Sequence, residues 1–177
     1  MEKKSIYAKR IEKVQMSSIR IVMEKVEKLR NQGKSIVSLC AGEPDFNTPA
    51  GIKKATMDAL NDNQTHYSSN RGYAGLRQKV AQLLQEQTTI NYDSEQEIIM
   101  TCGCSEAINN TCLAFIDPGD EVIIFTPAFV SYQNTVLLCE GIPVEIPLKA
   151  SNEFQIDIEE LKSKITNKTK MMIINNP

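Results

Sequence analysis

Between residues 11 and 29 the apolar side chains Ile11, Val14, Ile19, Val22, Met23, Val26 and Leu29 recur at helical spacing, and Gly33 follows as a stop, so the pattern predicts an amphipathic helix. A short, mostly apolar run at 36–40 suits a strand, and the next segment, AGEPDFN at 41–47, is rich in turn residues. Thr48 and Pro49 then open a helix that reaches about residue 60. A threonine hydroxyl suits a cap, and proline at the first helical position loses no hydrogen bond. After a polar stretch at 61–71, Gly72 and Gly75 bracket Tyr73 and Ala74 ahead of a helix with Leu76, Val80, Leu83 and Leu84 on one side. From there the two periods alternate. Strands at 97–101 (EIIMT), 121–125, 142–146 and 170–174 are separated by helices at 105–115, 129–140 and 158–165. Strict alternation requires crossover connections. The expected class is therefore α/β, a mostly parallel sheet with helices on both faces, preceded by a helical amino-terminal segment.

Composition narrows the function classes. The 177 residues suffice for one well-cored domain and would crowd two. Apolar residues make up 41% and charged residues 24%, with a formal net charge of -2, which is ordinary for a globular protein. Lysines and arginines are spread among glutamates, without a basic stripe to follow a phosphate backbone, so no nucleic-acid partner is expected. Residues 1–10 carry charges with no apolar run behind them, which reads as neither signal peptide nor membrane anchor, and the expected location is cytoplasmic. The cysteines, Cys40, Cys102, Cys104, Cys112 and Cys139, lie mostly in apolar segments and read as reduced thiols. Cys102 and Cys104 lack CxxC spacing and His66 is far away, so no metal site is expected.

One junction suits chemistry. In open α/β sheets ligands bind beyond the carboxyl ends of the strands, where helix amino termini offer unpaired N–H groups and a partial positive charge. The apolar run at 97–101 leads straight into Cys102, Gly103, Cys104 and Ser105, where the glycine permits a tight turn and the serine adds a hydroxyl to the backbone donors. This is the composition of a phosphate cup, although glycine and serine also begin many helices for capping alone. GxGxxG directly after a strand, GxxxxGK[ST] and GxSxG are all missing, which sets aside dinucleotide, nucleoside-triphosphate and serine-hydrolase sites.

Four segments, in order, carry a resemblance: AGEPDFNTP at 41–49, HYSSNRGYAGLR at 66–77, TCGCSEAINNTCLAFIDPGDEVIIFTPAFVSY at 101–132 and INNP at 174–177. Together they resemble the fold-type I, class I/II aminotransferases that depend on pyridoxal 5′-phosphate (PLP). The resemblance implies that Gly103, Cys104 and Ser105 hold the cofactor phosphate and that Phe129 stacks on its pyridine ring. It implies that Tyr67 reaches across a dimer interface to the phosphate of the neighbouring subunit, and that Gly42 faces the substrate carboxylate. Without it, Phe129 would read as a core aromatic, Tyr67 as a surface tyrosine and Gly42 as a turn glycine. Pro118, Gly119, Asp120, Pro127, Glu43, Pro44 and Asp45 read as structural, Arg71 and Arg77 as packing or interface residues, and Asn175 as part of the approach to a further turn. The domain division it implies is 1–47 as the amino-terminal helix and substrate-loop segment of the small domain, and 48–177 as the first part of the PLP-binding large domain.

By the same resemblance, this chain corresponds to the amino-terminal portion of such an enzyme and ends before the lysine that forms the Schiff base with PLP. No lysine here stands in that context; Lys149, Lys162, Lys164, Lys168 and Lys170 read as solvated charges. The chain alone is thus expected to be inactive, its retention of PLP is left open, and uncovered apolar faces are expected to make it dimerise or self-associate. For the whole protein the expected reaction moves an amino group from an amino acid to a 2-oxo acid. A PLP-dependent lyase or an ACC-synthase-like enzyme shares the motifs, and a catalytically inactive binding module describes the isolated chain.

Overall fold

The computed structural model describes residues 6–14 and 17–175. Part of the 1–10 segment, residues 15 and 16 within the first expected helix, and Asn176 and Pro177 of the INNP segment lie outside the described residues. The chain forms two compact units, one of Met1–Ile36 with Gly103–Pro177 and one of Val37–Cys102.

The first unit is built on a parallel three-stranded sheet. Its strands are β1 (Glu121–Thr126), β2 (Ile142–Pro147) and β3 (Thr169–Ile173), in the order β2-β1-β3. The central strand has the most apolar run, and its side chains divide by parity between two layers. Val122 and Ile124 join Cys112, Ile116, Val136 and Cys139 in one core cluster. Ile123 and Phe125 join Ile146 in a second, against which Leu161 and Ile156 pack. The first layer draws its helical residues from α4 (Cys104–Phe115) and α5 (Ser131–Leu138), the second from α6 (Ile158–Lys164). The expectation of a parallel sheet with helices on both faces is therefore met. Pro143 and Pro147 lie in β2 at the sheet edge, where a missing N–H costs no ladder bond on the open side.

Several local expectations are corrected. The helix expected over 11–29 is divided: a 3-10 turn at Lys9–Lys13 is followed by α1 at Ser18–Asn31. Ser17 stands at φ -59° and ψ 121°, outside the helical region, and its carbonyl accepts the first helical bond from the Ile21 N–H at 3.3 Å, so the helix starts late. The 36–40 run is not a strand. Val37 and Leu39 are 88% and 93% exposed, and among the described residues the run has no ladder partner. The 97–101 run likewise has no ladder partner among the described residues: Glu97 belongs to a turn, its N–H donating to the Asp93 carbonyl at 2.9 Å, although Ile98 is buried and the Met100 N–H donates to the Arg71 carbonyl at 3.0 Å. A strand exists only where a neighbour accepts its hydrogen bonds. The helix expected over 129–140 is shorter and spans Ser131–Leu138, flanked by Val130, which lies in a turn.

The second unit carries α2 (Ala50–Asn61) and α3 (Ala74–Thr88). Pro49, not Thr48, is the residue flanking α2: its carbonyl accepts the Lys53 N–H at 3.1 Å and no side chain caps the helix. Among the described residues no helix is long and apolar enough to cross a membrane.

Candidate functional site

Helix α4 opens on Gly103, whose backbone takes φ 86° and ψ 170°. A side chain at this position would meet nothing within 4 Å. Conformation rather than crowding thus selects glycine, since φ of this sign strains any residue with a Cβ. The first bond of the helix runs from the Ala107 N–H to the Gly103 carbonyl at 3.4 Å. The amides of Cys104 and Ser105 therefore precede the hydrogen-bonded ladder and sit at the positive end of a three-turn helix. The Ser105 side chain is exposed there and adds a hydroxyl. Glu106, also in the first turn, sets a carboxylate near the same end of the dipole.

The loop beyond β1 supplies a facing wall. After the cis Thr126–Pro127 bond the chain reaches Phe129, which is 50% exposed, and then enters α5. Cys104, Ser105 and Ile108 of α4 and Phe129, Ser131, Tyr132 and Thr135 line one open cavity of about 120 Å³. Residues with hydroxyls and a thiol supply its polar part; Ile108 and the two aromatic residues supply its apolar part. The site lies where the carboxyl end of a parallel strand meets a helix amino terminus, the usual place for a ligand in an open α/β sheet.

The structure thus brings together Cys104, Ser105 and Phe129, with Gly103 at the turn. Tyr67 and Gly42 belong to the other compact unit. Tyr67 is fully exposed on the loop before α3, and Gly42 is exposed in an irregular segment with open space around its α-carbon. Ile108, Ser131, Tyr132 and Thr135 complete the cavity and were not singled out from the sequence. Their only signal is helical spacing: Ile108 stands one turn after Cys104, and Thr135 one turn after Ser131.

The remaining residues fall into structural places. Arg77 is 3% exposed: its Nε donates to the Ser94 carbonyl at 2.8 Å, Nη1 to the Gly72 carbonyl, and Nη2 to Glu95 Oε2 at 2.8 Å. Asp120 closes the turn into β1, its carboxylate accepting the Asp117 N–H at 3.0 Å. Lys149 and Lys162 are exposed and lie 3.7 and 2.8 Å from Glu160 and Glu159. Cys112 and Cys139 are buried in the same core cluster. Burial raises the pKa of both thiols; the neighbouring Cys139 adds to the effect at Cys112, and Arg10 partly offsets it at Cys139.

Comparison with known proteins gives this geometry a context. A sequence model of the family described as aminotransferase class I and II matches residues 34–177. The chain is 44% identical over 144 residues to the aspartate aminotransferase of Pyrococcus abyssi (strain GE5 / Orsay), covering 81% of this chain and 37% of that protein. It is 38% identical over 168 residues to aromatic-amino-acid aminotransferase 2 of Thermococcus litoralis, covering 95% of this chain and 42% of that one. The crystal structure of aspartate aminotransferase from Thermus thermophilus with maleate superposes with a TM-score of 0.91 at 34% identity, over 98% of this chain and 46% of that chain. The chain thus spans less than half the length of the relatives it matches. It belongs to the class I and II aminotransferases, a family of pyridoxal-5′-phosphate enzymes.

Proposed function

We propose that the whole protein transfers an amino group from an amino acid to a 2-oxo acid, and that this chain holds the phosphate and one face of the ring of PLP. The observation that carries the reading is the shared cavity of Cys104, Ser105 and Phe129 at the start of α4. Its donors suit the group: a glycine-turned helix start offers backbone N–H groups and a hydroxyl to a dianion, and an aromatic side chain beside it suits a planar heterocycle. PLP, when bound, supplies an electron sink for the pair left when a substrate α-carbon loses its proton.

The work of this chain is binding and orientation. The Cys104 and Ser105 amides and the Ser105 hydroxyl hold the phosphate, and the positive-φ turn at Gly103 sets the direction in which the helix start meets it. Phe129 orients the ring and keeps water from one face of it. Tyr67 gives its hydroxyl to the phosphate in a neighbouring subunit, and Gly42 leaves room for the substrate carboxylate; both roles rest on the motif match alone. No catalytic residue is assigned within this chain. Residues 1–47 contribute to the smaller domain and 48–177 to the PLP-binding domain. We place the protein in the cytoplasm and expect a homodimer. Uncovered apolar side chains, Phe115 on α4, Met172 on β3 and Ile174 just beyond it, support self-association.

The relatives are named for aspartate and for aromatic amino acids, so donors of those two kinds come first in a substrate screen. The phosphorus resonance of PLP, followed as chain is added, tests the binding role. It should shift or broaden saturably with the parent chain and far less with S105A; an unchanged resonance at high chain concentration refutes the reading.

A further inference from the structure

We infer that Tyr132 is a positioning residue, the element that fixes the ring of Phe129 so that one of its faces is presented to the cavity. The inference rests on the PLP reading given above and adds to it a residue that acts through another. Phe129 is 50% exposed, so half of its surface has no protein packed against it. A side chain so placed keeps rotamer freedom unless a neighbour removes it.

Tyr132 is that neighbour. The two ring centroids lie 5.9 Å apart with an interplanar angle of 77°, an edge-to-face arrangement favoured by the ring quadrupoles. The Tyr132 N–H donates to the Phe129 carbonyl at 3.0 Å, which closes the turn between them and fixes their backbone separation. Tyr132 is itself partly buried and packs on the core cluster that contains Cys112, Ile116, Val122 and Val136. Rigidity therefore passes from the core through Tyr132 to an otherwise half-free ring. Either sense of a T-shaped pair leaves at least one face of Phe129 free of Tyr132, and both residues line the cavity that Ser105 also lines. A ring held in one orientation loses less freedom when a planar ligand stacks on it than a ring that must first be ordered.

The test is PLP affinity and the induced circular dichroism of the bound cofactor, measured on the chain and on Y132F, Y132L, F129L, F129L/Y132L and S105A. Y132L should weaken binding roughly two- to tenfold, the worth of one aromatic pair, and diminish the induced band. Y132F keeps the ring and should restore both. In the F129L background Y132L should cost less than twofold, because the residue it orients is gone. Equal losses in the two backgrounds, or a Y132F as damaging as Y132L, overturn the inference. If S105A and F129L weaken binding while Y132L is additive with F129L, only the Tyr132 role falls. If neither S105A nor F129L weakens binding, the cofactor reading fails and takes this role with it. Y132M fills the volume without a ring and repeats the comparison should Y132L not fold. A nuclear Overhauser contact between the Phe129 and Tyr132 rings in the unsubstituted chain is also required, and its absence contradicts the inference directly.

Discussion

Gly72 and Met100 approach so closely that a Cβ on residue 72 would lie 2.7 Å from the Met100 Cβ. The contact seats the turn that follows Tyr67 on the extended segment leading to Cys102, and the Met100 N–H anchors it further by donating to the Arg71 carbonyl at 3.0 Å. Gly72 also stands at φ 87°, a conformation that strains any residue with a Cβ. G72A therefore combines backbone strain with overpacking and should cost about 2–4 kcal/mol of stability. Urea unfolding followed by far-ultraviolet circular dichroism measures it; a loss under about 0.5 kcal/mol would show that the turn can move aside.

Arg77 is the other tie in that unit. Its guanidinium satisfies two backbone carbonyls and one carboxylate while 3% exposed. Lysine cannot reproduce the planar fork. R77K should lower stability by about 1–3 kcal/mol, chiefly by leaving the Ser94 and Gly72 carbonyls unpaired. E95Q should cost less than about 1 kcal/mol, because Glu95 is 61% exposed and the ion pair is screened on that side. Equal losses from the two substitutions would contradict this ranking.

The buried thiols predict an alkaline limit. Both Cys112 and Cys139 have pKa values raised above the ordinary 9.0, burial being the first cause. Below that pH both are neutral in the folded and unfolded chain alike, and they give stability no pH dependence. Above it the unfolded chain releases protons that the folded core retains, so stability falls as pH rises toward the folded pKa values, by at most about 1.4 kcal/mol per pH unit for each thiol. Denaturation between pH 8 and 10.5 should show a shallower decline for C112A than for the parent. Parallel declines would mean that Cys112 ionises freely in the folded state.

Legibility in the sequence followed the kind of interaction each element needs. β1 was readable because an uninterrupted apolar run has only one comfortable place, buried on both faces, and four consecutive residues, Val122 to Phe125, are buried there. The tight turn at the start of α4 was readable because Gly103 supplies its conformation through its own backbone; the phosphate role proposed for it rests on the same local residues. The runs at 36–40 and 97–101 misled, since apolarity tells what a segment would bury and nothing about a ladder partner. Thr48 suggested a cap by composition alone, and the helix begins after Pro49 without using its hydroxyl. The part proposed for Phe129 came only through resemblance. Tyr132, Ser131, Thr135 and Ile108 were hidden because their place depends on how α4 and α5 pack against each other within one layer of the sheet, a tertiary relation that local spacing does not encode.

Equilibrium dialysis of PLP against the chain and against S105A tests the central claim most directly. The cradle at the start of α4 predicts saturable binding at one site per chain, weakened about tenfold when the Ser105 hydroxyl is removed from the phosphate, the effect of losing a hydrogen bond to a charged group. Binding that does not saturate, or that is the same for S105A, would contradict the assignment of this cavity to the cofactor.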